Sequence, residues 1–197
     1  LIESGDLEAA LEHYKELDRM VRPDLPTFVN AGVLHADSGN KDKAEEMLMR
    51  ALEADPSRLD ARVNLASLHF EREQYEQAAR HFGECLHRVQ PQDADQGAAM
   101  GVSFQLAVSL EESGQKDEAR SFYRYAGNMA EKAGATSMAA QSWHRLAELH
   151  REQNQLKKAL EAERRALGNW EEMDPQMAVV ALQRYAELLR AAGHRGH

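Results

Sequence analysis

The chain has 197 residues, of which 43% are hydrophobic and 29% are charged, a balance typical of a folded protein rather than a disordered one. Its net charge of −9 argues against nucleic acid as a partner, because nucleic acid is bound mainly by basic residues that neutralise phosphates. No apolar run approaches the roughly 18 residues that a membrane span needs, so we expect no membrane insertion. The single cysteine, Cys85, excludes an internal disulfide and fits a reducing compartment, so we expect the cytoplasm.

Amphipathic helices are predicted from the start of the chain. The first runs from Asp6 to Met20 and repeats apolar residues at helical spacing. Pro23 and Pro26 end it and open a second helix, which leads to a turn at Ser38-Gly39. Small residues within that second helix allow a neighbouring helix to come close.

The stretch Gly39–Pro56 is the clearest unit, with a turn, an amphipathic helix and a proline that ends it. Equivalent turns are predicted near Glu73, Gly114 and Asn154. The spacing between successive turns is 34, then 41, then 40 residues. The longer units have room for about two more helical turns at ~3.6 residues each. Because antiparallel neighbours keep their ends together, we expect each helix of these units to gain one turn.

These repeats resemble the tetratricopeptide repeat family, whose pattern is W-x2-L-G-x2-Y, then A-x3-F, then P. The matching positions are Phe28, Ala31, Gly32, His35, Ala44, Leu48 and Pro56 in one unit, and Trp143, Leu146, Ala147 and His150 in another. Arg62 and Ser103 stand where the first helix has its aromatic residue, and Glu163 stands where the second helix has one. The later units are similar to the longer repeats of kinesin light chain and the spindle-orientation adaptors.

The resemblance implies an all-α fold, a right-handed superhelix (solenoid) of antiparallel helix pairs with about ten helices. We expect one such domain over residues 1–197, with 34-residue units to about residue 90 and units of about 40 residues from about residue 92. The uncovered end helices indicate either a fragment of a longer protein, which we favour, or self-association through those ends.

In this family the first helix of each pair lines a concave groove that binds a peptide. The residues that the repeat register places in this groove are Val29, Asn30, Val63, Asn64, Phe104, Gln105, Arg145 and Glu148. Asn30, Asn64 and Gln105 form a row of amides suited to pairing with a peptide backbone. The alternative is that they are solvent-exposed side chains inherited with the repeat.

Seven acidic residues fall at or near the predicted groove: Asp37, Asp60, Glu71, Glu111, Glu112, Glu148 and Glu152. They would steer a basic ligand, or they form a solvated face that keeps the protein soluble. Co-chaperone members of the family use a set of Lys, Asn and Arg to hold a terminal carboxylate. This set is not matched, since the places where Lys and Arg would be needed hold Asp60 and Asn64, and Gly101 and Gln105.

We therefore expect a non-enzymatic scaffold or adaptor that binds a protein or peptide, or a helical segment of a partner, in its groove. No catalytic motif, cofactor or metal site is predicted. His81 and Cys85 have a spacing suited to metal ligation, but Cys85 falls at a small packing position, so we assign both to packing. Trp170 is interpreted either as a cap of the longer helix or as an exposed contact. The alternative function is a regulatory or substrate-selecting arm of a larger enzyme.

Overall fold

The computed structural model describes residues 25–88 and 96–193, together with Ala9 and Glu12, which are helical and exposed. Two compact units divide the chain, an N-terminal unit at Leu1–Val89 and a C-terminal unit at Gln90–His197. The remainder of the predicted helix Asp6–Met20 lies outside the described residues. The expectation of a single domain stays a prediction.

The described part of the N-terminal unit contains two helix pairs. They are α1 (Leu25–Asp37) with α2 (Lys41–Ala54), and α3 (Leu59–Glu71) with α4 (Tyr75–Arg88). The helices of each pair pack against each other, and α3 also packs against α1 and α2. Gly32 lies at the crossing of α1 and α2, where an added Cβ would be 2.7 Å from Leu48 Cγ. The small residue therefore sets the helix separation, as the sequence predicts.

The described part of the C-terminal unit continues the pattern with longer helices. Its elements are α5 (Gln96–Glu112), α6 (Lys116–Ala133), α7 (Thr136–Glu152), α8 (Leu156–Met173) and α9 (Pro175–Gly193). The helices α1 to α4 have 13, 14, 13 and 14 residues, whereas α5 to α8 have 17, 18, 17 and 18. Each longer helix thus gains four residues, about one turn at ~3.6 residues. The expectation of one added turn per helix is confirmed.

The turns within the pairs lie where the sequence predicts them. Gly39, Glu73, Gly114 and Asn154 all have positive φ, between 59° and 84°. This left-handed conformation ends the first helix and redirects the chain into the second. All described elements are helices, so the all-α fold of antiparallel pairs is confirmed for the described residues.

One position of the second helices is fully buried in every described pair. Leu48, Phe82 and Tyr123 occupy it, each at most 1% exposed. Glu163 occupies the same position in α8 and is 1% exposed. A buried carboxylate needs a partner, and Nδ1 of His144 on α7 lies 3.1 Å from Glu163 Oε2. His144 thus pairs with one oxygen of the carboxylate that replaces the aromatic residue, while Glu163 Oε1 has no hydrogen-bond partner among the described residues.

Arg62 and Ser103 replace aromatic residues of the first helices and are also buried. Arg62 is 8% exposed, forms an ion pair with Glu84, and donates from Nη2 to the carbonyl oxygen of Pro56 at 2.8 Å. Ser103 Oγ donates to the carbonyl oxygen of Ala99 at 2.6 Å. Ser103 is thus satisfied inside the repeat, whereas Arg62 pairs through its two terminal nitrogens and its buried Nε has no hydrogen-bond partner among the described residues.

The last helix, α9, packs against α8 with one side and leaves apolar side chains exposed on its surface. The exposed residues are Val179, Val180, Leu182 and Leu189. The sequence suggests that such an uncovered end favours self-association, and this stays a prediction. Among the described residues, no helix combines the length and apolarity that crossing a membrane requires.

Candidate functional site

Two amide side chains of the N-terminal unit occupy equivalent positions on neighbouring first helices. Asn30 on α1 is exposed, and Asn64 on α3 is half-buried. Neither side chain has a hydrogen-bond partner among the described residues. Each amide carries two N–H donors and a carbonyl acceptor, so both retain their full capacity to bind another molecule.

The two valines that precede these asparagines differ in accessibility. Val63 is half-buried and remains at the surface of α3. Val29 is only 5% exposed and belongs to the core cluster with Leu48 and Leu65. The assignment of Val29 to the groove is therefore corrected: its apolar side chain packs inside the N-terminal unit.

The predicted groove residues of the C-terminal unit include an aromatic ring at the edge of a cleft. Phe104 is half-buried and packs edge-on against Tyr123, with ring centroids 5.8 Å apart. It borders an open cleft of about 380 Å³, which the first turn of α7 lines with Thr136, Ser137 and Met138. The neighbouring Gln105 is exposed, and its amide has no partner among the described residues. An apolar ring, hydroxyl groups and a free amide thus lie together on one side of this unit.

Arg145 forms ion pairs within the protein. Its Nε lies 3.3 Å from Glu111 Oε2, and its Nη2 lies 3.7 Å from Glu112 Oε1. The buried phenol of Tyr123 donates to the same Glu111 oxygen at 2.6 Å. Burial and this carboxylate raise the pKa of Tyr123, so the phenol stays a neutral donor. The network ties α5, α6 and α7 together, and it limits the charge that Arg145 presents to a ligand.

The acidic residues near the predicted groove are largely neutralised by neighbouring bases. Glu148 pairs with Arg151. The other paired acids are Asp60 with Arg58, Glu71 with Lys41, Glu152 with Lys116, and the two glutamates that contact Arg145. Since six of the seven predicted acids form ion pairs, their pull on a basic ligand is weakened.

Histidines at the family's tyrosine position secure the turns between paired helices. His69 Nδ1 lies 2.8 Å from Gln74 Oε1, and His150 Nδ1 lies 3.0 Å from Gln155 Oε1. In both turns the backbone N–H of the glutamine donates to the carbonyl oxygen of the same histidine, at 2.9 and 2.8 Å. The repetition identifies these histidines as structural.

His81 and Cys85 pack in the N-terminal unit. The His81 ring stacks on His69 with centroids 5.3 Å apart and planes 6° from parallel. Cys85 is 1% exposed, and burial raises the pKa of its thiol to about 11. The described residues contain no group of three or more metal-binding side chains.

Comparison with known proteins gives the family. Three models of the tetratricopeptide repeat match residues 29–93, 102–139 and 140–168. The chain belongs to the tetratricopeptide repeat family. The matched ranges coincide with the helix pairs of both units, so the repeat assignment rests on sequence and structure together.

Relatives of this tetratricopeptide repeat protein differ in how much of their length they share with it. It is 27% identical over 152 residues to the BBSome complex member BBS4 homolog of Drosophila melanogaster, a match of 75% of this chain and 30% of that protein. The chain therefore spans about a third of that relative's length. A crystal structure of MamA has a TM-score of 0.73 at 16% identity and covers 85% of this chain and 91% of its own. MamA from Desulfovibrio magneticus RS-1 gives 0.70 at 16% identity, with 86% and 89% covered.

Structural likeness at 16% identity shows the shared fold.

Sequence reasoning missed two side-chain clusters in the C-terminal unit. In the first, Arg184 on α9 places Nη1 3.2 Å from His144 Nε2, which extends the pair of half-buried His144 and buried Glu163 to a third helix. In the second, Arg165 on α8 stacks on Trp143 and pairs with Glu131 on α6. The carboxylate at the aromatic position of α8 was a signal for the first cluster, because a buried carboxylate requires a partner.

Trp170 is 7% exposed in α8. It is therefore a buried residue of the added helical turn and does not form an exposed contact, which decides between the two interpretations of the sequence.

Proposed function

We propose that this protein binds an extended peptide or a helical segment of a partner protein along its first helices. In the N-terminal unit the contact residues are Asn30, Val63 and Asn64. In the C-terminal unit they are Phe104 and Gln105. The observation that carries the proposal is that all three amides lack hydrogen-bond partners among the described residues while occupying equivalent repeat positions.

Unpaired amides at equivalent repeat positions suit a polypeptide ligand. A peptide backbone offers N–H and C=O groups along its length, and each amide satisfies one of each. Binding sites combine a few polar groups, which fix the orientation of the ligand, with apolar contacts. Val63 and Phe104 supply the apolar contacts here. Such a surface recognises backbone geometry first and sequence second.

The ion pairs of the acidic residues near the first helices limit how strongly the protein would prefer a basic ligand. Since Glu111, Glu112 and Glu148 already contact arginines, their charges add little to the binding of a basic peptide. We infer that hydrogen bonding and apolar contact dominate and that a basic ligand is a secondary preference. Arg145 and Glu148 then stand at the edge of the surface as members of internal ion pairs.

A double substitution tests this function. Asn30→Ala with Asn64→Ala removes both amides of the N-terminal unit, and the matched control replaces exposed residues of second helices, Gln77→Ala with Glu53→Ala. Purified variants serve as bait in quantitative affinity capture. We expect specific partners to be depleted with the asparagine variant and retained with the control.

Affinity for a captured partner should fall by more than about fivefold, since each lost hydrogen bond that is buried on binding is worth ~1 kcal/mol. Equal capture by the asparagine variant and the unmodified protein would contradict the proposal. The name of the fly relative describes a member of a protein complex, which fits partners of the protein class.

A further inference from the structure

A second cleft of the C-terminal unit lies between its second helices α6 and α8, over the first helix α7, and combines positive charge with an apolar floor. It has a volume of about 240 Å³ and is lined by residues of α6, α7 and α8: Arg124, Trp143, Leu146, His150, Lys158, Glu161, Ala162 and Arg165. None of these residues belongs to the surface that the proposed function uses.

The floor of the cleft is rigid. Trp143 and Leu146 are 3% and 4% exposed, so they are fixed by the core beneath. The Trp143 indole packs on Gly127, where an added Cβ would lie 2.8 Å from Cε2. The Arg165 guanidinium covers the indole at 3.6 Å and is itself held by Glu131 and Asn128 of α6. A ligand would therefore meet a preformed surface.

Two cations at the cleft are left without a carboxylate. Arg120, one turn before Arg124, pairs with Asp117 at 2.7 Å, and Arg165 pairs with Glu131. Arg124 on α6 and Lys158 on α8 are exposed and form no ion pair within the described part of the chain. Burial lowers the pKa of His150, and the neighbouring charges of Lys158 and Arg124 lower it further. Glu161 is the acidic residue of the lining, and Arg124, Lys158 and Arg165 outnumber it, so the lining is positive in a chain whose net charge is −9.

The size of the cleft and the charge around it indicate which class of anionic partner it can bind. The volume is below the ~300 Å³ at which pockets begin to hold whole drug-sized molecules, so the cleft suits one or two side chains. A membrane or duplex nucleic acid would also meet the acidic remainder of the chain and be repelled. A short peptide interacts mainly with charges within about 8 Å, the screening distance at physiological salt. It therefore responds to the bases of the cleft more than to the acidic remainder of the chain.

We infer that the cleft between α6 and α8 is a second docking site, which takes an acidic peptide segment with an apolar residue between its carboxylates. The carboxylates pair with Arg124 and Lys158, and the apolar side chain packs near Leu146 and Ala162. This inference is independent of the proposed function, because it uses other helices and a ligand of opposite preference.

An NMR titration tests the site with defined probes. The capped peptide Gly-Glu-Leu-Glu-Gly is added to the isotope-labelled protein and compared with Gly-Gln-Leu-Gln-Gly and Gly-Lys-Leu-Lys-Gly. We expect the glutamate peptide to shift amide signals around Arg124 and Lys158 and to bind several-fold more tightly than the glutamine peptide, because only its carboxylates form ion pairs with these two bases. Equal affinity for the three peptides, or shifts confined to α1, α3 and α5, would overturn the inference.

Charge reversal provides the matched comparison. Arg124→Glu with Lys158→Glu should weaken the glutamate peptide about tenfold, since two favourable surface pairs become repulsive. Lys132→Glu with Lys157→Glu changes the net charge equally, at exposed positions of the same two helices outside the cleft. It should leave affinity within about twofold.

If both double variants weakened binding of the glutamate peptide equally, the effect would be one of general charge, and the inference of a docking site would be overturned. Binding to phosphatidylserine vesicles without binding to the glutamate peptide would also overturn it. Asn30→Ala with Asn64→Ala should leave the titration unchanged, so failure of this inference and failure of the proposed function are separable.

Discussion

Replacing Gly127 by alanine should destabilise the C-terminal unit, although alanine is the better helix former. Gly127 is buried in α6, and an added Cβ would lie 2.8 Å from Trp143 Cε2 and 3.0 Å from Nε1. The indole has little room to retreat because Arg165 covers it. Overpacking of this kind costs about 1 to 3 kcal/mol, whereas the gain in helix propensity is about 1 kcal/mol.

Gly168→Ala is the matched control. Gly168 lies in α8 of the same unit, and no atom lies within 4 Å of an added Cβ. Its replacement should stabilise the unit by about 0.5 to 1 kcal/mol. Urea unfolding followed by circular dichroism measures both variants, and the difference between them should be about 1 to 3 kcal/mol. If Gly127→Ala were as stabilising as Gly168→Ala, the packing of the indole on α6 would be refuted.

Three further outcomes are expected. Arg62→Ala should lower the free energy of unfolding by roughly 1 to 3 kcal/mol, because it removes a buried charge-assisted contact. Arg58→Ala removes a surface ion pair and should cost clearly less; similar losses in urea titrations would contradict this. Cys85 should react with a thiol reagent only after unfolding, since burial raises its pKa to about 11, and rapid reaction of the native protein would be inconsistent with its burial. Burial, with the charge of a neighbouring histidine, lowers the pKa of His81, so the unfolded state binds protons first and stability should fall as the pH drops below about 6.5. His81→Leu should reduce this pH dependence and His87→Ala should not, as unfolding at a series of pH values would show.

The positions of the turns follow from the sequence because they depend on local chemistry. A glycine or asparagine adopts positive φ at little cost, so Gly39, Gly114 and Asn154 mark their turns directly. Glu73 lacks this preference and was found by the 34-residue period instead. Helix lengths followed from the same spacing, since paired helices grow together.

The candidate site was less predictable because side-chain partners come from other helices. The repeat register places Val29 beside Asn30, yet it cannot report that the Val29 side chain turns into the core. The register likewise assigns Arg145 to the groove, while Glu111 and Glu112 on α5 hold it in place. Such contacts depend on side chains of other helices: Val29 packs with Leu48 and Leu65, and Arg145 pairs with glutamates more than 30 residues earlier in the chain.

The cleft between α6 and α8 lay beyond sequence analysis for the same reason. Arg124 and Lys158 are 34 residues apart, and each alone is an ordinary exposed base of an amphipathic helix. Only the packing of Trp143 between their helices brings both to one cleft.

Photo-crosslinking tests the central claim most directly. A photoreactive amino acid is placed at Asn64 on α3, in the proposed contact surface, or at Gln77 on α4, an exposed position of the adjacent second helix. The account predicts crosslinks to a partner protein from position 64, their loss when Asn30→Ala is added, and few from position 77. Crosslinks from position 77 alone, or equal yields from both positions, would contradict binding along the first helices.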